Sequence, residues 1–405
     1  MMTPKLRFKE FSDDWHKYHL KNIADRITRK NKNNESKLPL TISSLDGLVD
    51  QITYFNKKVA SKDMSGYYLL LNGEFAYNKS YSAGFPFGSV KRLDRYDNGA
   101  LSTLYICFKP KSNINSDFFL KYFETSKWHK EVSMTVAEGA RNHGLLNVNV
   151  EDFFNTLHTL PTSFQEQHKV ADFLYVIDEK IENQLNIIES LEKQKKGFMQ
   201  NIFSRELCFK DEKGNTFPEW EEKCLGAVSD VRDGTHESPK YVSEGFALLT
   251  SKNLNQNGTL NFDDISFITK EDFESINKRS KVDVGDILFG MIGTIGNPVQ
   301  VKECNFAIKN VALIKENKIL LNSFLIDYLR SNFVAKQFYK NQAGGTQKFI
   351  ALGMIRELII PIPTLPEQQK IADFLSSFDE KIETEKQILT HWQTVKKGLL
   401  QQMFV

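Results

Sequence analysis

The sequence predicts an α+β fold: two mixed α/β domains, each followed by one long helix, with the helices pairing as a coiled coil and the whole forming a pseudo-two-fold internal repeat. Three observations carry this. Residues 166–204 align without a gap on residues 367–405 at a constant offset of 201, with 18 of 39 paired positions identical. Both stretches hold a 3.5-residue apolar period for five heptads, which marks a coiled-coil seam rather than one side of a globular helix. The segments before them are short apolar strands punctuated by Gly, Asn and Asp.

The first domain, residues 1–160, opens at Asp14-Trp15 and continues through Leu20, Ile23 and Asp25. Gly73-Glu-Phe-Ala-Tyr77 reads as a Gly-acidic turn running into a strand, LSTLYICFKP as a returning strand, and Ser116–Val136 as a helix. The domain carries 23 Lys and Arg against 17 Asp and Glu, so it is basic although the whole chain is only +2. Charge runs are usually solvated surface, and the asymmetry by itself supports a nucleic-acid partner only weakly. Binding surfaces more often sit on polar, Gly-flanked loops. Here those offer Lys79, Ser80 and Tyr81, then Lys91 and Arg92, then Arg141, Asn142 and His143.

Residues 161–204 form the first helical region. Its seam runs through Val170, Leu174, Ile177, Ile181, Ile188, Leu191, Phe198 and Ile202, with Gln184 and Lys195 in the two remaining slots. Phe173, Ile187, Met199 and Phe203 widen the apolar stripe beyond what a two-stranded coil needs, so a second set of helices is expected to cover the excess. Packing of each helix on its own domain is the plainer alternative. The duplication and the shared polar breaks favour mutual pairing together with a partner surface.

The second domain, residues 205–362, repeats the layout in different residues. Glu219-Trp220 leads to Leu225, Val228 and Asp230, Gly285-Asp-Ile-Leu-Phe289 mirrors the Gly-acidic turn, FAIKNVALIK returns as a strand, and Asn322–Asn341 reads as a helix. Its loops offer Thr235 and His236, Ser251 and Lys252, Thr294, and Thr346, Gln347 and Lys348. Such side chains hydrogen-bond base edges and phosphates, yet they are equally the usual content of solvated turns. The set therefore says more than any member. The two domains match in layout and diverge in sequence while the helices stay nearly identical, so one scaffold presents two different surfaces. The second helical region, residues 363–405, carries Ile371, Leu375, Phe378, Ile382, Leu389, Trp392, Leu399 and Met403 in the matching register, with Glu385 and Lys396 in the polar slots. Phe374, Ile388, Leu400 and Phe404 flank that seam.

Chemistry-bearing motifs are missing. There is no GxxxxGK[ST] loop, no HExxH pair and no CxxC spacing, and the four cysteines are scattered. Gly290-Met-Ile-Gly293-Thr-Ile-Gly296 has no following Lys-Ser or Lys-Thr to grip a phosphate and reads as strand and turn glycines. His129-Lys-Glu131 lacks the PCxxC of a zinc deaminase, and no DPPY or NPPY of an amino-methyltransferase occurs. No run approaches the roughly 18 apolar residues of a membrane span. A reduced, soluble, cytoplasmic binding and scaffolding protein, with no cofactor or metal of its own, is the expectation. A duplicated nuclease and a coiled-coil adaptor for protein partners only remain as alternatives.

The helix openings LPTSFQEQHKVADFL and PIPTLPEQQKIADFL, each followed by DEKIE, and the phrases FAYNKSYSAGFPFG, LSTLYICFKPKS, DGTHESPKYV, LTSKNLN and GTQKFIALGMIRELIIPIP resemble the specificity (S) subunits of type I restriction–modification enzymes over essentially the whole chain. The resemblance implies two target-recognition domains, 1–160 and 205–362, each reading half of a split double-stranded DNA site. It implies antiparallel helices that fix the gap between half-sites and dock two methyltransferase (M) subunits. S-adenosylmethionine would be bound by the M subunits, ATP and Mg²⁺ by nuclease/translocase (R) subunits, and this chain would perform no chemistry. The near-neutral second domain, with 20 basic against 21 acidic residues, departs from a uniformly basic DNA reader.

Overall fold

The computed structural model describes residues 2–135, 146–341 and 349–405. Two helices dominate it, Phe164–Phe203 and Leu365–Met403, of 40 and 39 residues, each on the order of 60 Å long. The chain divides into two compact units, Met1–Leu185 with Gln387–Val405, and Asn186–Lys386. Each unit holds one mixed domain, a stretch of the first long helix and a stretch of the second.

In the first unit, short strands form three sheets: β1 (His16–His19), β2 (Ala24–Arg26), β3 (Pro39–Ser43), β4 (Gly47–Asp50), β5 (Tyr68–Leu71), β6 (Phe75–Asn78), β7 (Ser89–Arg92), β8 (Asn98–Leu101), β9 (Ile106–Pro110) and β10 (Leu157–Leu160). Their orders are β1-β10, β2-β9-β6-β7 and β4-β3-β8-β5. All pairs are antiparallel except β3 with β8. β3 and β6 are almost wholly buried, β6 being apolar up to its last residue and β3 burying Thr41 and Ser43 along with Leu40 and Ile42. The Gly-acidic turn before β6 is formed by Gly73 at φ +80°, a conformation that suits glycine. Beside it Glu74 is buried and accepts from the Leu71 amide at 2.8 Å.

The second unit repeats this plan with β11 (Glu221–Cys224), β12 (Val231–Asp233), β13 (Tyr241–Val242), β14 (Phe246–Leu249), β15 (Ser266–Ile268), β16 (Ile287–Gly290), β17 (Gly296–Gln300), β18 (Phe306–Ile308), β19 (Val311–Ile314) and β20 (Ile359–Ile362). The orders β11-β20 and β12-β19-β16-β17 match the first unit strand for strand. The third sheet, β13-β15-β14-β18, keeps the one parallel pair, β14 with β18. Gly285, at φ +95°, and the buried Asp286 rebuild the turn before β16.

Two expectations need correction. LSTLYICFKP and FAIKNVALIK are not single strands. FAIKNVALIK spans β18 and β19, which lie in different sheets, and LSTLYICFKP holds only the last residue of β8 before it enters β9 in another sheet. The helices expected over 116–136 and 322–341 are each broken in two, into Ser116–Phe123 and His129–Thr135, and into Asn322–Leu329 and Asn332–Asn341. The breaks have one cause. Thr125 Oγ1 donates back to Tyr122 O at 2.7 Å and Ser331 Oγ to Tyr328 O at 2.6 Å, competing with the helical ladder at matching points.

Within each unit the two long-helix segments run antiparallel. In the first, Asp178 meets Lys396 at 2.6 Å and Lys180 lies over the Trp392 ring. In the second, Glu192 meets Lys386, Lys195 meets Asp379, and Phe198 packs on Phe374 and Phe378. The seam positions from Val170 to Leu399 are all buried or half-buried, and Gln184 and Lys195 are buried with them. The wide flanking stripe is mostly consumed by the domains rather than left for a partner: Phe404 joins the core of Trp15 and Phe118, and Phe203 that of Phe324 and Tyr328. Phe173, Ile187 and Ile388 stay exposed.

Glu166-Gln167 and Glu367-Gln368 weld helix to domain. Glu166, 1 % exposed, accepts from Trp15 Nε1 at 3.1 Å and from Arg7 at 2.7 and 2.9 Å. Glu367, 1 % exposed, accepts from Trp220 Nε1 at 2.9 Å and from Arg205 at 3.0 Å. Gln167 accepts from the Asn115 amide and donates to Pro161 O, and Gln368 accepts from the Leu321 amide and donates to Pro363 O. The segment feeding each domain also docks alike. Leu6 N donates to Gln402 O and Leu207 N to Asn201 O, both at 2.9 Å, while Phe8 meets Phe173 edge-on as Phe209 meets Phe374.

Candidate nucleic-acid interface

Among the described residues, several of the expected loops meet at one end of each domain, because the strand order brings the turn after β3 or β14 beside the loop after β6 or β16. In the first unit Ser44, in the β3–β4 turn, meets Ser82 at 3.3 Å and Ser89 at 3.1 Å. Lys79 O accepts from the Leu146 amide, closing the loop from the other side. Tyr81 projects into solvent, 61 % exposed, beside Leu45 at 85 %. Ser80 is half-buried in an Asx turn on Asn78. Burial pulls the Lys79 ammonium below its ordinary value, and its Nζ donates to Val148 O.

Lys91 and Arg92 lie on strand β7 rather than in a loop. The Arg92 guanidinium is tied to Asp94, Ser116, Asp117 and Tyr175, which leaves it little capacity for a phosphate. Lys91 is half-buried, held below its ordinary value by desolvation, and lies 5.7 Å from the Phe85 ring centroid. Arg141, Asn142 and His143 fall outside the described residues, as do Thr346, Gln347 and Lys348.

In the second unit Asn310, at φ +55°, is the hub. Its side-chain oxygen faces His236 Nδ1 at 2.7 Å and its carbonyl accepts from Ser251 Oγ at 3.1 Å. His236 Nε2 lies 2.7 Å from Asp233 Oδ2, so the ring is fixed at both nitrogens, and Arg279 pairs with the same buried carboxylate. Ser251 accepts from the Met291 and Ile292 amides and is itself 2 % exposed. It therefore builds the loop junction and presents nothing to solvent, contrary to its reading as a surface donor. Thr235 accepts from the Glu237 amide, and Lys252 pairs with Asp264 at 2.9 Å. Thr294 sits half-buried in the β16–β17 loop. Ile292 and Phe349 pair across a bridge, both large, apolar and exposed.

Asn310, Arg279 and Ser44 were not singled out from sequence. The available signal was Asn310 between two apolar runs, a turn residue at a strand corner. The result in each unit is a hydrogen-bonded cluster of hydroxyl and amide groups with a few exposed apolar side chains beside it. Among the described residues no group of three or more His, Cys, Asp or Glu is placed to hold a metal, and no helix is long and apolar enough to cross a membrane.

Comparison with known proteins agrees with this architecture. Residues 218–391 match the family model described as the type I restriction modification DNA specificity domain. The chain is 27 % identical over 317 residues to the type I restriction enzyme MjaVIII specificity subunit of Methanocaldococcus jannaschii, covering 75 % of this chain and 72 % of that one. It is 24 % identical over 416 residues to the putative type I restriction enzyme MjaX specificity subunit of the same organism, covering 98 % and 94 %. In fold it is similar to the crystal structure of the S subunit of a type I restriction–modification system from M. genitalium, with a TM-score of 0.55 at 17 % identity, over 100 % of this chain and 99 % of that one.

Proposed function

We propose that this chain, which resembles type I restriction–modification specificity subunits along its length and carries their DNA specificity domain in residues 218–391, is the DNA-reading subunit of such an enzyme. Residues 1–160 and 205–362 are its two target-recognition domains, and each reads one half of a bipartite double-stranded site. The long helices hold the half-sites at a fixed gap and dock two M subunits, with R subunits joining in the cleaving complex. The chain itself is non-catalytic and cytoplasmic. S-adenosylmethionine belongs to the M subunits, and ATP and Mg²⁺ to the R subunits.

The observation that carries this reading is the repetition of one sheet order and one helix weld in two units whose loop residues differ. Identical supports bearing unlike loops are what two independent readers on a common frame require. Base contacts in the major groove specify, and phosphate contacts position. On this reading Tyr81, Thr294 and the Asn310–His236 corner are candidates for the first role and Lys252 for the second.

The test is to express the chain with its M subunit and map N6-methyladenine across the host genome. A bipartite motif is expected. Replacing residues 205–362 by the equivalent domain of a relative should change one half of that motif and leave the other intact. A change in both halves, or methylation with no defined motif, would exclude the reading.

A further inference from the structure

In the second unit the loop Asp233-Gly-Thr-His236 is held so close to the β18–β19 link that the side chain of Asn310 has one polarity left to offer. A Cβ at Gly234 would collide with Ile308 O and lie 2.9 Å from Lys309 N, so the approach of the two backbones requires a glycine here. Hydrogen bonds close the contact from both sides. Thr235 N donates to Ile308 O at 3.0 Å, Asn310 N to Thr235 O at 3.1 Å, and Lys309 N to Leu249 O at 2.9 Å. Asn310 takes up a left-handed φ of +55°, which asparagine tolerates better than most residues.

Three of the four polar groups of Asn310 are engaged. The backbone amide is bonded to Thr235, the carbonyl accepts from Ser251 Oγ, and Oδ1 lies 2.7 Å from His236 Nδ1. The other ring nitrogen, Nε2, lies 2.7 Å from Oδ2 of Asp233, whose side chain is 8 % exposed. A carboxylate and an amide oxygen only accept, so the ring meets both as a double donor, in its charged form. The buried carboxylate supplies the opposite charge, which it shares with Arg279. What remains is Nδ2, a donor with no acceptor among the described residues, on a half-buried side chain and not sealed from solvent. An asparagine free to turn can present oxygen and nitrogen together, the bidentate match to adenine N6 and N7. This one cannot, because its oxygen is already held.

We propose that Asn310 reads a keto base, guanine or thymine, through Nδ2, and that His236 is the positioning residue that sets this polarity by holding Oδ1 away from the DNA. The proposal rests on the reading of residues 205–362 as a target-recognition domain. In the major groove guanine offers the acceptors O6 and N7 and thymine offers O4. Adenine N6 and cytosine N4 would face Nδ2 donor against donor. The matching link in the first unit, Ser102-Thr-Leu-Tyr105 between β8 and β9, carries no amide side chain. The arrangement therefore belongs to the second domain alone, as it should if two unlike readers share one scaffold.

The test uses the full chain with its M subunit, read by methylome sequencing and by titration of duplexes in which each base pair of the half-site is varied. Asn310→Asp keeps the size of the side chain and its bond to His236 but turns an acceptor outward. One position is expected to pass from guanine or thymine to adenine or cytosine on the same strand, by about tenfold in affinity, with the other half-site untouched. His236→Leu, which frees the amide to turn, should make that same position accept either class. An unchanged motif in Asn310→Asp, or a position that only broadens, would overturn the proposal, and so would an unchanged preference in His236→Leu. Thermal unfolding checks the fold of each variant. Should the added charge in Asn310→Asp loosen the corner, Asn310→Gly decides, since glycine suits this φ. It should make that one position indifferent and leave the rest of the motif as it was, and an unchanged motif overturns the proposal. A wild-type complex that methylates without a bipartite motif would instead overturn the functional reading, and this proposal with it.

Discussion

Trp15 donates its indole Nε1–H to Glu166 across 151 residues of sequence, and the carboxylate that receives it is almost wholly out of water. Removing that carboxylate strands two donors, the indole and the Arg7 guanidinium. Glu166→Ala should therefore destabilise the first unit by roughly 3–5 kcal/mol, the range for breaking a buried charge pair from one side. Glu166→Gln, which keeps one acceptor, should cost less. Denaturant unfolding of both variants measures the difference, and equal losses would mean that the carboxylate acts only through its shape.

Lys195 sits between Asp379, to which it directs two hydrogen bonds, and Asp327, 2.9 Å away in an ion pair without hydrogen-bond alignment. Burial pushes the Asp327 carboxyl up, and the Lys195 charge works against that. Lys195→Met should cost roughly 3–5 kcal/mol because it leaves Asp327 buried and uncompensated. Adding Asp327→Leu should recover much of the loss. A double variant no more stable than the single would show that the pair is not the unit of stability.

The first unit solves the same problem with the charges reversed. Lys121 occupies the place of Asp327 and Glu124 that of Arg330, and Lys121 and Lys396 share Asp178 and Glu124. This shows where legibility in the sequence ends. The seam slots of Lys195 and Lys396 could be read from the repeat, because heptad spacing places residues on a helix face. Their partners could not, because Lys121 and Asp327 reach the seam from domain helices whose sequences have diverged. The Glu-Gln pair was visible as a repeated motif, but its role depends on tryptophans some 150 positions away. Arg92 looked like a phosphate ligand and Ser251 like a surface donor because composition cannot tell a free group from one already engaged. The helix breaks were missed because Thr125 and Ser331 are unremarkable until their hydroxyls turn back on the ladder.

His158 makes stability pH-dependent. It is fully buried between Tyr122 and Thr156, and burial, with a smaller contribution from His19, holds its imidazole down at about 3. The unfolded chain takes up that proton near the ordinary value of 6.5 while the folded chain does not. The stabilisation is therefore complete above pH 6.5 and is lost progressively as pH falls toward 3, at about 1.4 kcal/mol per pH unit. Between pH 6.5 and 5 the wild type should lose about 2 kcal/mol more than His158→Gln. Unfolding free energies measured across that window decide it, and parallel curves would rule out His158 as the source.

Residues 1–204 should form a homodimer. In the intact chain the first unit is completed by residues 387–405, and Met403 and Phe404 enter its core. A second copy offers Ile202 and Phe203 in the matching register. Sedimentation should show a dimer, and with M subunits it should methylate a split palindrome built from one native half-site twice. A monomeric fragment would show that the two helices are not interchangeable.

The paired docking of Leu6 on Gln402 and of Leu207 on Asn201 has a topological consequence. Where residues 201–207 are joined by peptide bonds, the matching place in the other unit is bridged by a hydrogen bond between residues far apart in sequence. The architecture is in effect a cyclic order of domain, helix, domain, helix, and the linear chain is one way of cutting it. Joining residue 405 to residue 1 through a short linker and opening the exposed turn at residues 211–215 would thread the same contacts in a new order.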